Sequence, residues 1–168
     1  MLDMGAGTGV QAVFAAEKAG HVLAMDISKP ALDNTLLNAR RLGVSDIISV
    51  RESDLFNALG PDEKFDVIIS SIPFAMNAMT QGNWTLQERF FRYVRKHLNF
   101  NGRIYFSTGN LENMSRTRKL AETSGLKIIQ INMNYATVQH IEPIVYVFKH
   151  AEAAMWTKED LINAKQEE

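Results

Sequence analysis

The sequence predicts an α/β protein: a mainly parallel seven-stranded sheet with helices on both faces and an antiparallel hairpin near the C-terminus. Three observations carry this. Strand and helix signals alternate through most of the chain, which implies strand–helix–strand crossovers and parallel pairing. The run FDVIIS at 65–70 is apolar at nearly every position, as in a strand buried on both faces. From residue 126 the alternation stops, and two strand-like runs follow with a short loop between them.

In chain order, LDM at 2–4 is a short apolar stub that leads straight into GAGTG. Residues 10–19 are rich in alanine and predict a helix that stops at Gly20. HVLAMD at 21–26 is a strand ending in an acid. A second helix over 29–42 has Ser28 as its cap, Pro30 in its first turn and Gly43 as its stop. Strands follow at 47–53 and 65–70. Apolar residues at 86, 90, 91, 94 and 98 have helical spacing and predict a helix over 85–98. A strand at 103–108 and a helix at 111–124, closed by Gly125, complete the alternating part. The runs at 126–135 and 141–149 form the hairpin, and Pro143 places it at a sheet edge. Residues 1–150 form one core, and 151–168 a tail with a short helix at 157–165, capped by Thr157 with Asp160.

Bulk properties exclude several classes. A chain of 168 residues suits one domain. A formal net charge of -1 gives no overall pull toward nucleic acid or an anionic membrane. No apolar run reaches the roughly 18 residues needed to cross a bilayer. The start has an acid at position 3 and no basic leader, so a cytoplasmic protein is expected. Cysteine is absent, which rules out disulfides, a thiol nucleophile and zinc–thiolate sites. The histidines at 21, 97, 140 and 150 have no metal-ligand spacing, so no metal site is expected.

The strongest motif is Leu2-Asp3-Met4-Gly5-Ala6-Gly7-Thr8-Gly9. A glycine-rich turn between strand and helix lets a ligand approach the backbone. The dinucleotide fingerprint G-x-G-x-x-G fails here, because Val10 stands where the third glycine belongs. Asp3, two residues before the first glycine, is unwelcome beside a pyrophosphate. It suits a ligand carrying an ammonium group, such as the methionine part of S-adenosylmethionine. Asp26 ends the second strand, 17 residues after Gly9, where a carboxylate can accept both hydroxyls of a ribose. Ser53-Asp54-Leu55-Phe56 follows the third strand; Asp54 can accept from an adenine amino group while Leu55 or Phe56 flanks the ring. All three acids stand at C-terminal strand ends, where open parallel sheets bind ligands. Plainer readings exist for each: a simple turn for the glycines, a helix cap beside Ser28 for Asp26, a loop residue for Asp54.

Together these features resemble the class I S-adenosylmethionine-dependent methyltransferases, which have a Rossmann-like fold. The similarity is greatest to the branch of protein-glutamine and RNA amino-group N-methyltransferases. It rests on the glycine loop, Asp26, NTLLNARRLGV at 34–44, SDLF at 53–56 and FDVIIS, and covers about residues 1–110. The family's reversed last strand agrees with the hairpin. The resemblance implies S-adenosylmethionine as cofactor. It implies Asp3, Gly5, Ala6, Gly7 and Gly9 around the methionine moiety, Asp26 on the ribose, and Asp54 at the adenine, with Ile27, Ser53, Leu55 and Ser70 completing the pocket. Family members have a longer first strand and usually a preceding helix. The expectation here is either a shortened chain or a more open pocket, with a partner chain or second copy as one way to complete it.

The resemblance also locates the acceptor. In that branch the segment after the fourth strand reads Asn-Pro-Pro-Tyr or Asn-Pro-Pro-Phe, and its asparagine and a backbone carbonyl accept from the target amino group. Here it reads Ser70-Ser71-Ile72-Pro73-Phe74. Ser71 takes the asparagine position, Ile72 replaces the first proline, and Pro73 and Phe74 match. Phe74 either stacks on a planar amide or base or packs under the following loop. Trp84 is an acceptor contact or a core anchor. Arg89, Arg92, Arg95 and Lys96 on one helix are an RNA-phosphate contact or a solvated face. The leading expectation is methyl transfer to a nitrogen on protein, RNA or a small molecule, with Ser71, Pro73 and Phe74 at the acceptor. The alternatives are a non-catalytic methyltransferase-like subunit and an NAD-linked oxidoreductase, the latter disfavoured by Asp3 and the missing glycine.

Overall fold

The structure is a computed structural model that describes residues 1–72, 84–108, 114–132 and 144–153. Its strands form one seven-stranded sheet in the order β3-β2-β1-β4-β5-β7-β6. They are β1 (Leu2–Met4), β2 (Val22–Asp26), β3 (Ile48–Glu52), β4 (Phe65–Ser70), β5 (Leu98–Thr108), β6 (Leu126–Asn132) and β7 (Ile144–His150). Pairs among β1 to β5 are parallel, and β7 runs antiparallel to both β5 and β6. The expected architecture is therefore present, short first strand included.

The helices are α1 (Val10–Ala16), α2 (Lys29–Arg41), α3 (Thr85–Val94) and α4 (Met114–Thr123). Two cores follow from the period-2 alternation of the strands. Val22, Ala24 and Ile48 pack with Ala12, Ala16 and Ala39 of α1 and α2, where small side chains let helix and sheet approach closely. Leu2, Met4, Met25, Ile68 and Ile104 point the other way, toward Phe90, Phe91 and Val94 of α3 and Ala121 of α4. Aromatic rings knit that second core: Phe91 lies 5.1 Å from Phe106 and 5.5 Å from Phe148, the latter edge to face. Such burial, at roughly 25 cal/mol per Å2 of apolar surface, is the main force holding the layers together.

Three boundaries within the described residues differ from the sequence reading by more than one residue. α1 ends at Ala16, before the tight turn at residues 17–20. The helix expected over 85–98 ends at Val94 and tightens into a 3-10 turn at Arg95–His97. Strand β5 starts at Leu98, five residues before the expected start at 103. Leu98 is buried and pairs with Phe65, and a bulge in β5 absorbs the polar residues that hid this strand start, since Phe65 to Val67 on β4 faces Leu98 to Arg103. The strand residues expected at 133–135 and 141–143, the helix start at 111–113 and the helix at 157–165 lie outside the described residues.

Candidate cofactor and acceptor site

Strand order reverses between β1 and β4: the chain steps from β1 outward to β2 and β3, then returns to β4 and steps the other way. A cleft opens at the C-terminal strand ends of such a reversal. The glycine loop after β1 and the segment after β4 flank it. They touch: a Cβ on Gly5 would lie 3.3 Å from Cγ2 of Ile72.

The glycine loop is tightly fixed. The N–H groups of Gly5 and Ala6 both donate to the Met25 carbonyl, at 2.8 and 3.0 Å. Gly5, Gly7 and Gly9 all have positive φ, a region that side chains disfavour. At Gly9 a Cβ would lie 2.6 Å from Thr35, whereas at Gly7 it would meet nothing within 4 Å. Gly9 is thus required by packing; Gly7 leaves open space beside the backbone. From α2, Thr35 Oγ1 donates to the Gly7 carbonyl at 3.0 Å and Asn38 Nδ2 to the Thr8 carbonyl at 2.9 Å. Sequence reading missed both fasteners; their i, i+3 spacing on the predicted helix was the available signal.

Asp26 faces this loop. Its Oδ2 accepts from the Gly7 N–H and its Oδ1 from the Ser28 N–H, each at 2.9 Å. Every carboxylate oxygen has two lone pairs, so one on each oxygen is still free for a hydroxyl. Ile27, next in the chain, is 68% exposed, an apolar side chain beside the site rather than in a core.

Asp3 is fully buried, and neither of its carboxylate oxygens has a hydrogen-bond partner among the described residues. Burial pushes its pKa up to about 6. The Ala12 N–H, close but outside hydrogen-bonding geometry, works in the opposite direction, and the Asp26 charge adds to the rise. An unpaired buried carboxylate is costly, and an approaching cation relieves it.

The third acid sits on a built turn. Ser53 Oγ donates to the Leu55 carbonyl at 2.7 Å and accepts from the Ala58 N–H at 3.0 Å. Its hydroxyl thus holds the turn, and Leu55 adopts a φ of 50° within it. The Leu55 and Phe56 side chains turn inward: both belong to the core, and Phe56 stacks on His97 and packs against Phe90. Asp54 stays half-buried, its Oδ2 accepting from Arg89 Nη2 of α3 at 2.8 Å. Arg89, on the sequence reading either an RNA-phosphate contact or part of a solvated face, pairs with Asp54 in the structure.

On the acceptor side, Ser70 is buried with no partner for its hydroxyl among the described residues. Ser71 is exposed, and its Oγ accepts from Ser107 Oγ of β5 at 2.9 Å. Pro73 and Phe74 lie outside the described residues. Trp84 is buried beneath the Arg116 guanidinium, 4.7 Å from its ring centroid, and so anchors the start of α3. Three of the four cations of the α3 region have partners of their own: Arg89 pairs with Asp54, Arg95 with Glu152, and Lys96 lies over Tyr93.

A sequence model of the family described as "Methyltransferase small domain" matches residues 1–136. The chain belongs to this family. Among curated relatives, the release factor glutamine methyltransferase of Rhodopirellula baltica is 43% identical over 76 residues, 44% of this chain and 26% of that protein. The ribosomal RNA small subunit methyltransferase C of Marinomonas sp. (strain MWYL1) is 31% identical over 109 residues, 62% of this chain and 29% of that protein. The matched chain thus spans less than a third of either relative. In fold, the chain matches the ribosomal protein L11 methylase of Lactobacillus delbrueckii subsp. bulgaricus with a TM-score of 0.72 at 21% identity, covering 89% of this chain and 68% of that one. A TehB-like SAM-dependent methyltransferase from Corynebacterium glutamicum matches with a TM-score of 0.66 at 21% identity, covering 89% of this chain and 78% of that one.

The cofactor that goes with this family is S-adenosylmethionine. The residues present fit it: a buried carboxylate with no partner among the described residues, open space at Gly7, and Asp26 with lone pairs to spare. Among the described residues no helix is long and apolar enough to cross a membrane.

Proposed function

We propose that this chain is the catalytic core of an S-adenosylmethionine-dependent methyltransferase that modifies a nitrogen atom on a protein, an RNA or a small molecule. The buried, unpartnered Asp3 behind the glycine loop carries the reading most strongly. A cofactor without an ammonium group leaves that carboxylate uncompensated, and the ammonium of an amino acid end compensates it. When bound, S-adenosylmethionine would supply an electrophilic methyl group: the nitrogen–carbon bond forms as the sulfur–carbon bond breaks, S-adenosylhomocysteine leaves, and the nitrogen's proton passes to water.

The chain's own residues bind and orient. The loop Gly5–Gly9 holds the backbone open at Gly7, Asp26 accepts from the ribose hydroxyls, Ile27 offers an apolar face and Asp54 accepts from the adenine amino group. Ser70, Ser71 and Ile72 stand at the end of β4, the strand beside the glycine loop, with Pro73 and Phe74 next in sequence. Ser71 and the backbone carbonyls there accept hydrogen bonds from the target nitrogen and aim its lone pair. Orientation and proximity then supply most of what the protein contributes. Relatives named for release-factor glutamine, ribosomal protein uL3 glutamine and ribosomal RNA support protein or RNA as the acceptor. A cytoplasmic location goes with those acceptors.

A second reading has its own observation. Val10 and Phe14, one turn apart on α1, are 57% and 71% exposed, an apolar outer face suited to a partner chain or second copy. On that reading the chain is a methyltransferase-like subunit that a partner completes. Transfer of tritiated methyl from S-adenosylmethionine to bacterial release factor or to small ribosomal subunits separates the two. Label in one acceptor, lost in Ser71→Ala, supports catalysis. A folded, cofactor-binding protein that labels neither, yet runs at the mass of an assembly, supports the partnered subunit.

A further inference from the structure

The three carboxylates at this edge differ in charge compensation. Asp3 has no partner among the described residues, Asp26 is bonded by backbone N–H groups alone, and Asp54 is paired with the Arg89 guanidinium. The negative field is therefore strongest at the glycine loop and weakest at Asp54. That gradient matches a ligand with a cationic amino acid at one end and an uncharged base at the other.

The Arg89–Asp54 contact does little for stability. Both side chains are more than a third exposed, and such pairs contribute modestly. Its consequence is geometric. Arg89 Nη2 holds Oδ2 at 2.8 Å, and among the described residues nothing occupies Oδ1. The turn beneath Asp54 cannot swing, because Ser53 clamps it twice and Phe56 is packed between Phe90 and His97. Leu55, at a φ of 50°, keeps a strained backbone just after Asp54, as segments that present a ligand group often do. Arg89 and Phe90 are neighbours on α3, so one helix fixes both the turn and the carboxylate it displays.

Resting on the cofactor reading above, we propose that Arg89 is a positioning residue that makes the site selective for a 6-aminopurine, by holding Asp54 so that its free oxygen accepts from the exocyclic amino group. A 6-oxopurine brings a carbonyl oxygen to the same place, where it meets a carboxylate fixed in a repelling orientation. Without Arg89 the carboxylate turns away, and the two bases become more alike to the site.

Calorimetric titration with S-adenosylhomocysteine and with its 6-oxo analogue, S-inosylhomocysteine, tests this without an acceptor. The readout is the ratio of the two dissociation constants, which a general loosening of the fold does not move. The wild-type protein is expected to prefer the adenosyl compound by at least about tenfold. In Arg89→Ala the preference falls to about threefold or less, and Arg89→Lys, which keeps a cation within reach, retains most of it. Asp54→Asn, which gains a donor, shifts the preference toward the 6-oxo compound. Arg89→Gln serves if the alanine variant fails to fold. An unchanged ratio in the neutral Arg89 variants, or equal binding of both compounds by wild type, overturns the proposal. Absence of binding of either compound by folded wild-type protein overturns the cofactor reading itself and this inference with it.

Discussion

Gly7 and Gly9 share a left-handed backbone but differ in what surrounds them, and the difference separates folding from binding. An added methyl at Gly9 meets Thr35 at 2.6 Å on top of its backbone strain. Gly9→Ala is expected to lower unfolding free energy by about 2–4 kcal/mol. Gly7→Ala carries the backbone penalty alone, about 1–2 kcal/mol, yet its methyl projects into the space proposed for the cofactor. Urea unfolding and S-adenosylhomocysteine binding measured together check this. Gly9→Ala should lose more stability, and Gly7→Ala more affinity than its stability loss explains; equal effects contradict the assignment. At this scale the acids were legible in the sequence, because a carboxylate at the end of an apolar strand has few structural reasons to be there. The loop fasteners Thr35 and Asn38, and the pairing of Arg89 with Asp54, were not. Which face of a helix meets a loop depends on how the helix is rotated and docked, and periodicity alone does not fix that.

Among the elements, α3 joins the core to the site. Its Phe90 and Phe91 are buried while Tyr93 is 40% exposed. Phe91→Ala is expected to cost about 3–5 kcal/mol and Tyr93→Ala under about 1 kcal/mol, read by chemical denaturation. Similar losses at both positions would contradict the packing described. Ser53→Ala removes both clamps of the turn under Asp54 and should cost about 1–3 kcal/mol. Its effect on cofactor affinity should exceed that of Thr123→Ala, which removes a hydroxyl bonded only to its own helix. The order and type of elements were readable from periodicity, because buried parallel strands and two-sided helix packing leave strong patterns. Strand β5 was readable only in part. Asn99 to Gly102, just after its first residue, are mostly polar and bulge out of register with β4 between the paired Leu98 and Arg103. The inward turn of Leu55 and Phe56 was equally hidden. The sequence offered them for the adenine, but core burial claims both, leaving Ile27 as the exposed apolar side chain at that edge.

For the whole molecule, Asp3 ties stability to pH. Its pKa rises from 3.8 to about 6 on folding, so between those values the folded chain binds more protons than the unfolded one. Stability from this group is therefore full below about pH 4 and declines as pH rises, by about 3 kcal/mol once pH passes 6. Glu63 acts in the opposite sense, since its hydrogen bond to Arg51 lowers its pKa. The difference between wild type and Asp3→Asn isolates the Asp3 contribution. In thermal melts from pH 4 to 8 the variant should gain relative to wild type as pH rises, and a flat difference would contradict the burial of an unpaired charge. The same substitution should weaken cofactor binding, so stability and function oppose each other at this residue. That opposition is what a cation-binding carboxylate in a domain core entails.

The glycine loop and Asp26, at the strand-order reversal, form the proposed cofactor site. Calorimetric titration of wild type and Asp26→Ala with S-adenosylmethionine and S-adenosylhomocysteine, with NAD as control, tests it most directly. The expected result is saturable one-to-one binding of both sulfur compounds by wild type, none of NAD, and a loss in Asp26→Ala of about a hundredfold or more for two hydroxyl contacts to a charged group. A folded wild-type protein that binds neither compound, or an Asp26→Ala variant that binds as tightly as wild type, contradicts it.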